Sequence, residues 1–304
     1  MKFHLSSNLD PWIGYSLLKH YNCSDHRSCV VYSLWGDRGY ITYLKYSLMS
    51  LISSTDVSDR ADILIFVSSD LYEETVDCLN GIIGKDCFVR VESSQKYLIH
   101  THPSTQKYDN FLMLDTDSFF LGRDTIFEKM EKFYANPENS KTMFMVKDFI
   151  DSKTAFWTRK SSHCEAPSLE RYESFYKKSI GEEEFEKMMK KNWWVSYAVA
   201  YSKEHFKEEG YSSYAAENFQ MGQGCDETVF LTWAHKNSYD LRGIEKFFPC
   251  YDQYISSGES VSDFFTEQNI AALYHPLVGE NALNICNVFL LAEIEKKHEA
   301  LLEH

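Results

Sequence analysis

Apolar residues along this chain keep two alternating rhythms. Cys29–Leu34 (CVVYSL), Asp62–Val67 (DILIFV), Cys87–Val91 and Phe111–Leu114 are short runs with little polar interruption, the pattern of strands covered on both faces. Between them the period lengthens. Ile41, Leu44, Leu48, Leu51 and Ile52 recur at helical spacing, and Leu71–Ile83 is a second helical stretch that stops at Gly84. Lys96–Lys107 is mixed, helical at first and then broken by Pro103. A β-α-β-α-β-α-β order of this kind predicts a parallel sheet within an α/β domain. In such sheets ligands gather beyond the carboxyl ends of the strands. The turn Trp35-Gly36-Asp37-Arg38-Gly39-Tyr40, Ser68-Ser69-Asp70 and Asp115-Thr116-Asp117 all fall there, so they are expected to converge. There is no G-x-G-x-x-G, which disfavours a dinucleotide fold.

Beyond that half, Ile126–Phe133 predicts a helix, and Thr142–Val146 a strand leading to Lys147-Asp148. Residues 151–192 change character: a loop with Trp157, Arg159 and Lys160 precedes Ser168–Lys191, rich in Glu and Lys and helical in pattern. A lid-like insertion and a solvated charged face both fit it. Trp193–Tyr201 alternates as a strand does, Ser202-Lys203-Glu204 opens a helix, and another helix starts at Cys225-Asp226-Glu227 and runs to about His235. Ala271–Tyr274 reads as a last short strand before His275-Pro276-Leu277-Val278-Gly279, and Leu283–Ala300 as a closing helix. Residues 1–28 read as an arm, and Leu302-Glu303-His304 as a cloning remnant.

Composition narrows the partners. A net charge of −14 leaves no basic surplus for nucleic acid or an anionic membrane, though a nucleotide held through a metal stays compatible. The 8 cysteines show no C-x-x-C, so structural zinc is not expected and reduced thiols of a cytoplasmic protein are. The first residues lack a signal-peptide pattern, and the longest apolar stretches, Trp193–Ser202 and Ala282–Ala292, are too short to span a bilayer.

Candidate chemistry centres on Asp115 and Asp117. Carboxylates two residues apart on extended backbone point the same way, and next to apolar strands they need a positive partner. A divalent Mn²⁺ or Mg²⁺ bridging to a phosphorylated ligand supplies one. Trp35 and Tyr40 suit stacking on a nucleobase, with Ser33 or Asp37 reading its edge. Trp193, Trp194 and Tyr197 suit a sugar platform, although alternation turns the two tryptophans opposite ways, so at most one lines a site. Asp226 and Glu227 open a helix, where the dipole favours carboxylates whether they are caps or catalysts.

In this order, the βαβ repeats, LDTDSFF, WWVSYAVAYSKEHF, GCDETVFLTWAHKN and YHPLVG resemble glycosyltransferases of the GT-A type, over roughly residues 29–280. The resemblance implies a three-layer α/β sandwich around a mixed, mainly parallel sheet, as one domain over 29–301. Its parts would be a nucleotide-sugar half (29–150), the charged insertion (151–192), an acceptor half (193–280) and a C-terminal helix (281–301). It also implies a Mn²⁺ or Mg²⁺ on Asp115, Asp117 and His275, with Gly279 closing the His-to-Gly pattern of the family-8-like branch. The implied donor is a UDP-linked sugar and the implied acceptor a glycan hydroxyl. Asp226 or Glu227 would be the catalytic carboxylate, with Asp148 the competitor, whose role in the family would be to contact donor-sugar hydroxyls. The family pattern has a shorter His-to-Gly gap followed by a Lys; H-P-L-V-G-E-N lacks both, leaving Lys147, Arg159 or Lys160 to meet the phosphates. Anchorless forms of this family resemble bacterial and large-DNA-virus enzymes. A nucleotidyltransferase is the rival enzyme, poorly served by SLWGDRGY with Arg38 as its one cation, and a catalytically silent carbohydrate-binding protein is the third reading.

Overall fold

The computed structural model describes residues 20–92, 99, 101–121, 125–145, 169–191, 198–206, 210–220, 226–248, 250–252, 272–275 and 290. Its strands are β1 (Ser28–Leu34), β2 (Ala61–Ser68), β3 (Phe88–Val91), β4 (Asn110–Leu114), β5 (Phe119–Leu121), β6 (Thr142–Met145), β7 (Ala198–Ser202), β8 (Asp240–Gly243), β9 (Cys250–Asp252) and β10 (Ala272–His275). Seven of them form one sheet in the order β3-β2-β1-β4-β7-β6-β8. The first four run parallel; β7 lies antiparallel between β4 and β6, and β8 is parallel to β6. This is the α/β class with a mixed, mainly parallel sheet that the sequence predicts. Every residue of β1 and β2 is buried, which is why those runs carry so few polar positions.

Helices cover both faces. They are α1 (Gly39–Ser54), α2 (Tyr72–Leu79), α3 (Ile126–Tyr134), α4 (Leu169–Ile180), α5 (Glu182–Lys191), α6 (Tyr211–Gln220) and α7 (Asp226–Lys236). Val30, Tyr32 and Leu34 of β1 pack on one side with Leu44 and Leu48 of α1, Val76 and Leu79 of α2, and Phe127 and Met130 of α3. Cys29 and Val31 point to the other side, against Phe66, Phe111, Met113 and the helices carrying Tyr176, Phe185, Tyr211, Phe230 and Trp233. Period-two alternation thus divides each strand between two cores, each large side chain contributing about 1.5–3 kcal/mol.

Local details differ from the sequence reading. Pro103 starts a 3₁₀ turn, Pro103–Thr105, because its missing N–H costs nothing at a first helical position. The Glu/Lys-rich stretch is two helices separated by Gly181, whose φ of +88° suits glycine. Tyr176 and Phe185 carry that pair onto the sheet with ring centroids 5.9 Å apart, so its described part is a packed layer. Helix α6 and strands β8 and β9 have no counterpart in the sequence reading, and the helix expected from Ser202 is a 3₁₀ turn, Lys203–Phe206. The strand expected to end before His275 includes it. Residues 1–19 of the arm, the 146–168 loop, the 192–197 start of the Trp193 strand, and the closing helix apart from buried Leu290 lie outside the described residues. Among the described residues no helix is long and apolar enough to cross a membrane.

The amino ends of the strands are tied by Asp62, which is fully buried. Its carboxylate accepts from Ser24 N at 2.8 Å, Tyr108 Oη at 2.8 Å and Lys107 Nζ at 3.0 Å, and lies 3.1 Å from His26 Nδ1. Removing the acceptor strands those donors. Asp62→Ala should therefore lower unfolding free energy by about 2–4 kcal/mol, read as a reduced urea midpoint at unchanged slope.

Candidate functional site

The chain leaves β1 for β2 on one side and returns from β3 to β4 on the other, so β1 and β4 flank the point where the winding reverses. In an open α/β sheet the crevice at that point, beyond the carboxyl ends, is the natural ligand site. Two loops border it here. The first follows β1. Trp35 stands 55% exposed, the one large hydrophobic side chain so exposed among the described residues. Gly36 takes φ +82°, a left-handed turn that lets the chain double back into α1. Asp37 Oδ1 accepts from Gly39 N at 2.7 Å, and Asp37 O accepts from Tyr40 N at 3.2 Å. One carboxylate oxygen of Asp37, one residue before the N-cap Arg38, therefore receives the first amide of α1. Ser33 is buried at the strand end.

The second loop joins β4 to β5 and holds the paired acids. Ser118 N donates to Asp115 O at 3.3 Å, closing a tight turn. Asp117 is only 8% exposed, Thr116 and Ser118 are buried, and the Ser118 hydroxyl has no hydrogen-bond partner among the described residues. Beyond the turn, Phe120 N donates to Ser50 Oγ at 3.0 Å and Ser54 Oγ donates to Phe120 O at 3.4 Å, locking β5 onto α1. Tyr40 reports the field in this corner: burial first, then Asp117, Asp115 and Asp37, push its phenol up to about 12. The three acids thus converge on one half-buried ring. The Ser68–Asp70 turn lies across β1 from them and leads into α2, with Leu71 N donating to Ser68 O at 3.0 Å.

A second, three-stranded sheet brings in the distant histidine. Strands β5, β10 and β9 pair in the order β5-β10-β9. β10 runs antiparallel to β5, with Tyr274 opposite Phe119. One step further along that register, His275 comes level with Ser118, adjacent in sequence to Asp117. On its other edge β10 runs parallel to β9, and His275 pairs with Asp252. Asp252 is a candidate that the sequence does not disclose: β9 is a three-residue strand with no periodicity, and only the pairing reveals its place.

The remaining candidates divide by element. Helix α7 ends at Lys236, and Asp240 N, opening β8, donates to Lys141 O at the amino end of β6. The N-terminus of α7, with Asp226 and Glu227, is therefore directed toward the carboxyl end of the sheet, the end that carries the paired acids. Ala198, which follows the Trp193-Trp194-Tyr197 stretch, pairs with Leu114, the residue before Asp115. Trp193, Trp194, Tyr197, Asp148 and Gly279 themselves lie outside the described residues, as do Lys147, Arg159 and Lys160.

The donor types at this corner suit a hard divalent cation, with carboxylates from one turn and an imidazole from a neighbouring strand. Among the described residues, Asp115 and Asp117 are not part of a group of three or more metal-ligating side chains.

No family model matches the chain, and no curated protein matches it by sequence. Solved structures resemble it distantly. The mannosyltransferase Ktr4p from S. cerevisiae aligns at 12% identity with TM-score 0.43, covering 76% of this chain and 77% of that one. Its complex with GDP aligns at 12% identity and TM-score 0.46, covering 81% and 82%. Core-mannan synthase A from Aspergillus fumigatus, in a Mn/GDP form, aligns at 10% identity and TM-score 0.45, covering 92% and 88%. Likeness at this level does not establish a shared activity.

Capping and ligand reading by Asp37 are separable. Asp37→Asn keeps an acceptor for Gly39 N, whereas Asp37→Ala should cost about 1 kcal/mol of stability. If the residue only caps, Asp37→Asn will leave nucleotide affinity, measured by calorimetry, unchanged.

Proposed function

We propose that this chain is a metal-dependent glycosyltransferase that moves a sugar from a nucleoside-diphosphate donor to a hydroxyl of a glycan acceptor. The observation that carries this reading is the register of β10 on β5, which sets His275 level with the end of the Asp115–Asp117 turn at the winding reversal of the sheet. A structural coincidence would leave a histidine from the far end of the chain anywhere on the surface.

In this reading Asp117 and His275 would hold the cation, with Asp115 a further ligand or a contact to the donor's ribose. Bound there, a divalent ion would supply Lewis-acid charge to the departing diphosphate. The chain's own residues do the rest. Asp252, in strand register with His275, is assigned the role of its orienting partner. Trp35 offers an exposed face to the base at the mouth of the crevice. Tyr40, its phenol pushed up to about 12 by burial and then by the acids beside it, stays protonated at working pH. Asp226 is assigned the base that takes the acceptor hydroxyl's proton, and Glu227 its neighbour at the same helix end, where the dipole favours carboxylate over carboxylic acid. Asp148 and Gly279 on the donor side, and Trp193, Trp194 and Tyr197 on the acceptor side, keep the roles that the family resemblance implies. A UDP-linked donor rests on the family resemblance alone, so UDP- and GDP-linked sugars are equal candidates.

A thermal-shift screen of UDP- and GDP-sugars with and without Mn²⁺ tests the donor, because a ligand of the native state raises Tm. Metal-dependent stabilisation by one class is expected. Asp117→Asn and His275→Ala should each remove it and reduce donor turnover by at least about 100-fold, and Asp252→Asn should weaken Mn²⁺ by about 10–100-fold. Full metal-dependent turnover in Asp117→Asn would refute the site. Glycan binding with no nucleotide or metal requirement would replace the reading with a carbohydrate-binding one.

A further inference from the structure

A second cluster of reactive groups lies at the opposite, amino end of the sheet. The segment before β1 is pinned there at two points. Tyr21 N donates to Ile82 O at 3.0 Å, Gly84 N returns a bond to Tyr21 O at 2.8 Å, and Tyr21 Oη donates to Ala61 O at 2.5 Å. Three residues past Tyr21, Ser24 N is held on buried Asp62 at 2.8 Å. Cys23 sits between these anchors, with Sγ 3.3 Å from Ile63 O. Facing it is Cys87, fully buried at the end of the 3₁₀ turn Lys85–Cys87, and the two sulfurs are 3.0 Å apart. The crossing is close: a Cβ at Gly84 would lie 2.6 Å from Asn22 Oδ1 and 2.5 Å from Asp86 Oδ1, so those side chains would have to shift.

We propose that Cys23 and Cys87 are an oxidation site that closes to an intramolecular disulfide. Both backbones are fixed before any bond forms, and the sulfurs need to approach by about 1 Å to reach an S–S bond of ~2.05 Å. The half-buried Cys23 meets the oxidant. Its thiolate attacks one sulfur of a small-molecule disulfide such as oxidised glutathione and expels one glutathione thiolate. The Cys87 thiolate then attacks the Cys23 sulfur and expels the second. The two thiol protons leave with the two glutathiones, so one disulfide is consumed for each one formed. The hydrogen bond to Cys23, and then burial, hold the Cys87 thiol well above its ordinary range, which makes the second step the slow one.

A metal is the other use for such a pair. Asp86 joins the two cysteines in a group whose ligand atoms lie within 4.8 Å of one another. That supplies three donors where a closed structural zinc site takes four, and the nearby His26 is already engaged by Asp62 and Ser24. The disulfide needs no ligand beyond those present. It would join positions 64 apart in the chain and enclose β1, α1, β2 and α2.

The test uses the whole protein, reduced and then equilibrated with oxidised glutathione, alkylated, and mapped as non-reduced peptides. A linked pair of peptides containing Cys23 and Cys87 is expected, with two alkylatable thiols lost and Tm raised by roughly 5–10 °C. Cys23→Ser, at the less buried position, should abolish the linkage and the shift, whereas Cys78→Ser should leave both. Alkylation of both cysteines after oxidation, linkage through Cys78 or Cys29 instead, or stoichiometric zinc that keeps the pair reduced would each overturn the proposal. None of these readouts involves sugar transfer, so the result stands apart from the proposed function.

Discussion

The candidate site depends on placing negative charge at the edge of an apolar sheet and keeping it there. Acids beside buried strands normally swing to water or lose their charge. Here the turn cannot swing. Leu114 is held in the parallel sheet on one side and Phe120 is hydrogen-bonded to α1 on the other, so Asp115–Ser118 are confined between two fixed points. The Tyr40 phenol beside this turn is pushed up to about 12, by burial first and then by Asp117, Asp115 and Asp37. Asp62, at the other end of the same half, meets the same constraint in another way. Its charge is met entirely from within, by a lysine, a tyrosine, a serine amide and a histidine. Asp62 holds the amino ends of the strands together; Asp115 and Asp117 follow the carboxyl end of β4.

Much of the frame could be read directly from the sequence because parallel strands buried on both faces are spelled as unbroken apolar runs. CVVYSL, DILIFV and FLML fall in β1, β2 and β4, and the helical spacing from Ile41 to Ile52 falls in α1. The position of the paired acids followed from the same logic, since a strand that ends in carboxylates ends where water or a ligand begins. What stayed hidden was everything defined by pairing rather than by period. β9 and β10 are three and four residues long, too short for any rhythm, so the chain offers no local sign that His275 and Asp252 are partners or that Phe119 faces Tyr274. Pro103 misled because proline breaks a helix interior yet starts a helical turn, and only position distinguishes the two. The Glu/Lys-rich stretch misled in the opposite direction. Its charges advertise a solvated face and conceal Tyr176 and Phe185, which reach the core once per helix.

The two ends of the first half are mechanically related. The four parallel strands start at one layer: β1 continues from the Tyr21–Ser24 segment, β2 is bonded to it, β3 follows the turn that ends at Cys87, and β4 opens with Asn110 N donating to Arg27 O. A loop at the carboxyl end is only as well placed as the strands beneath it. The Trp35 turn and the acid turn each span few residues and have little internal packing, so their geometry is inherited from β1 and β4. This makes the amino-end cluster part of what positions the site although it touches no ligand, and it separates two kinds of substitution. Changes at Asp117 or His275 should alter chemistry at constant stability, whereas changes at Asp62 or Cys87 should alter stability first and the site only as the strands loosen.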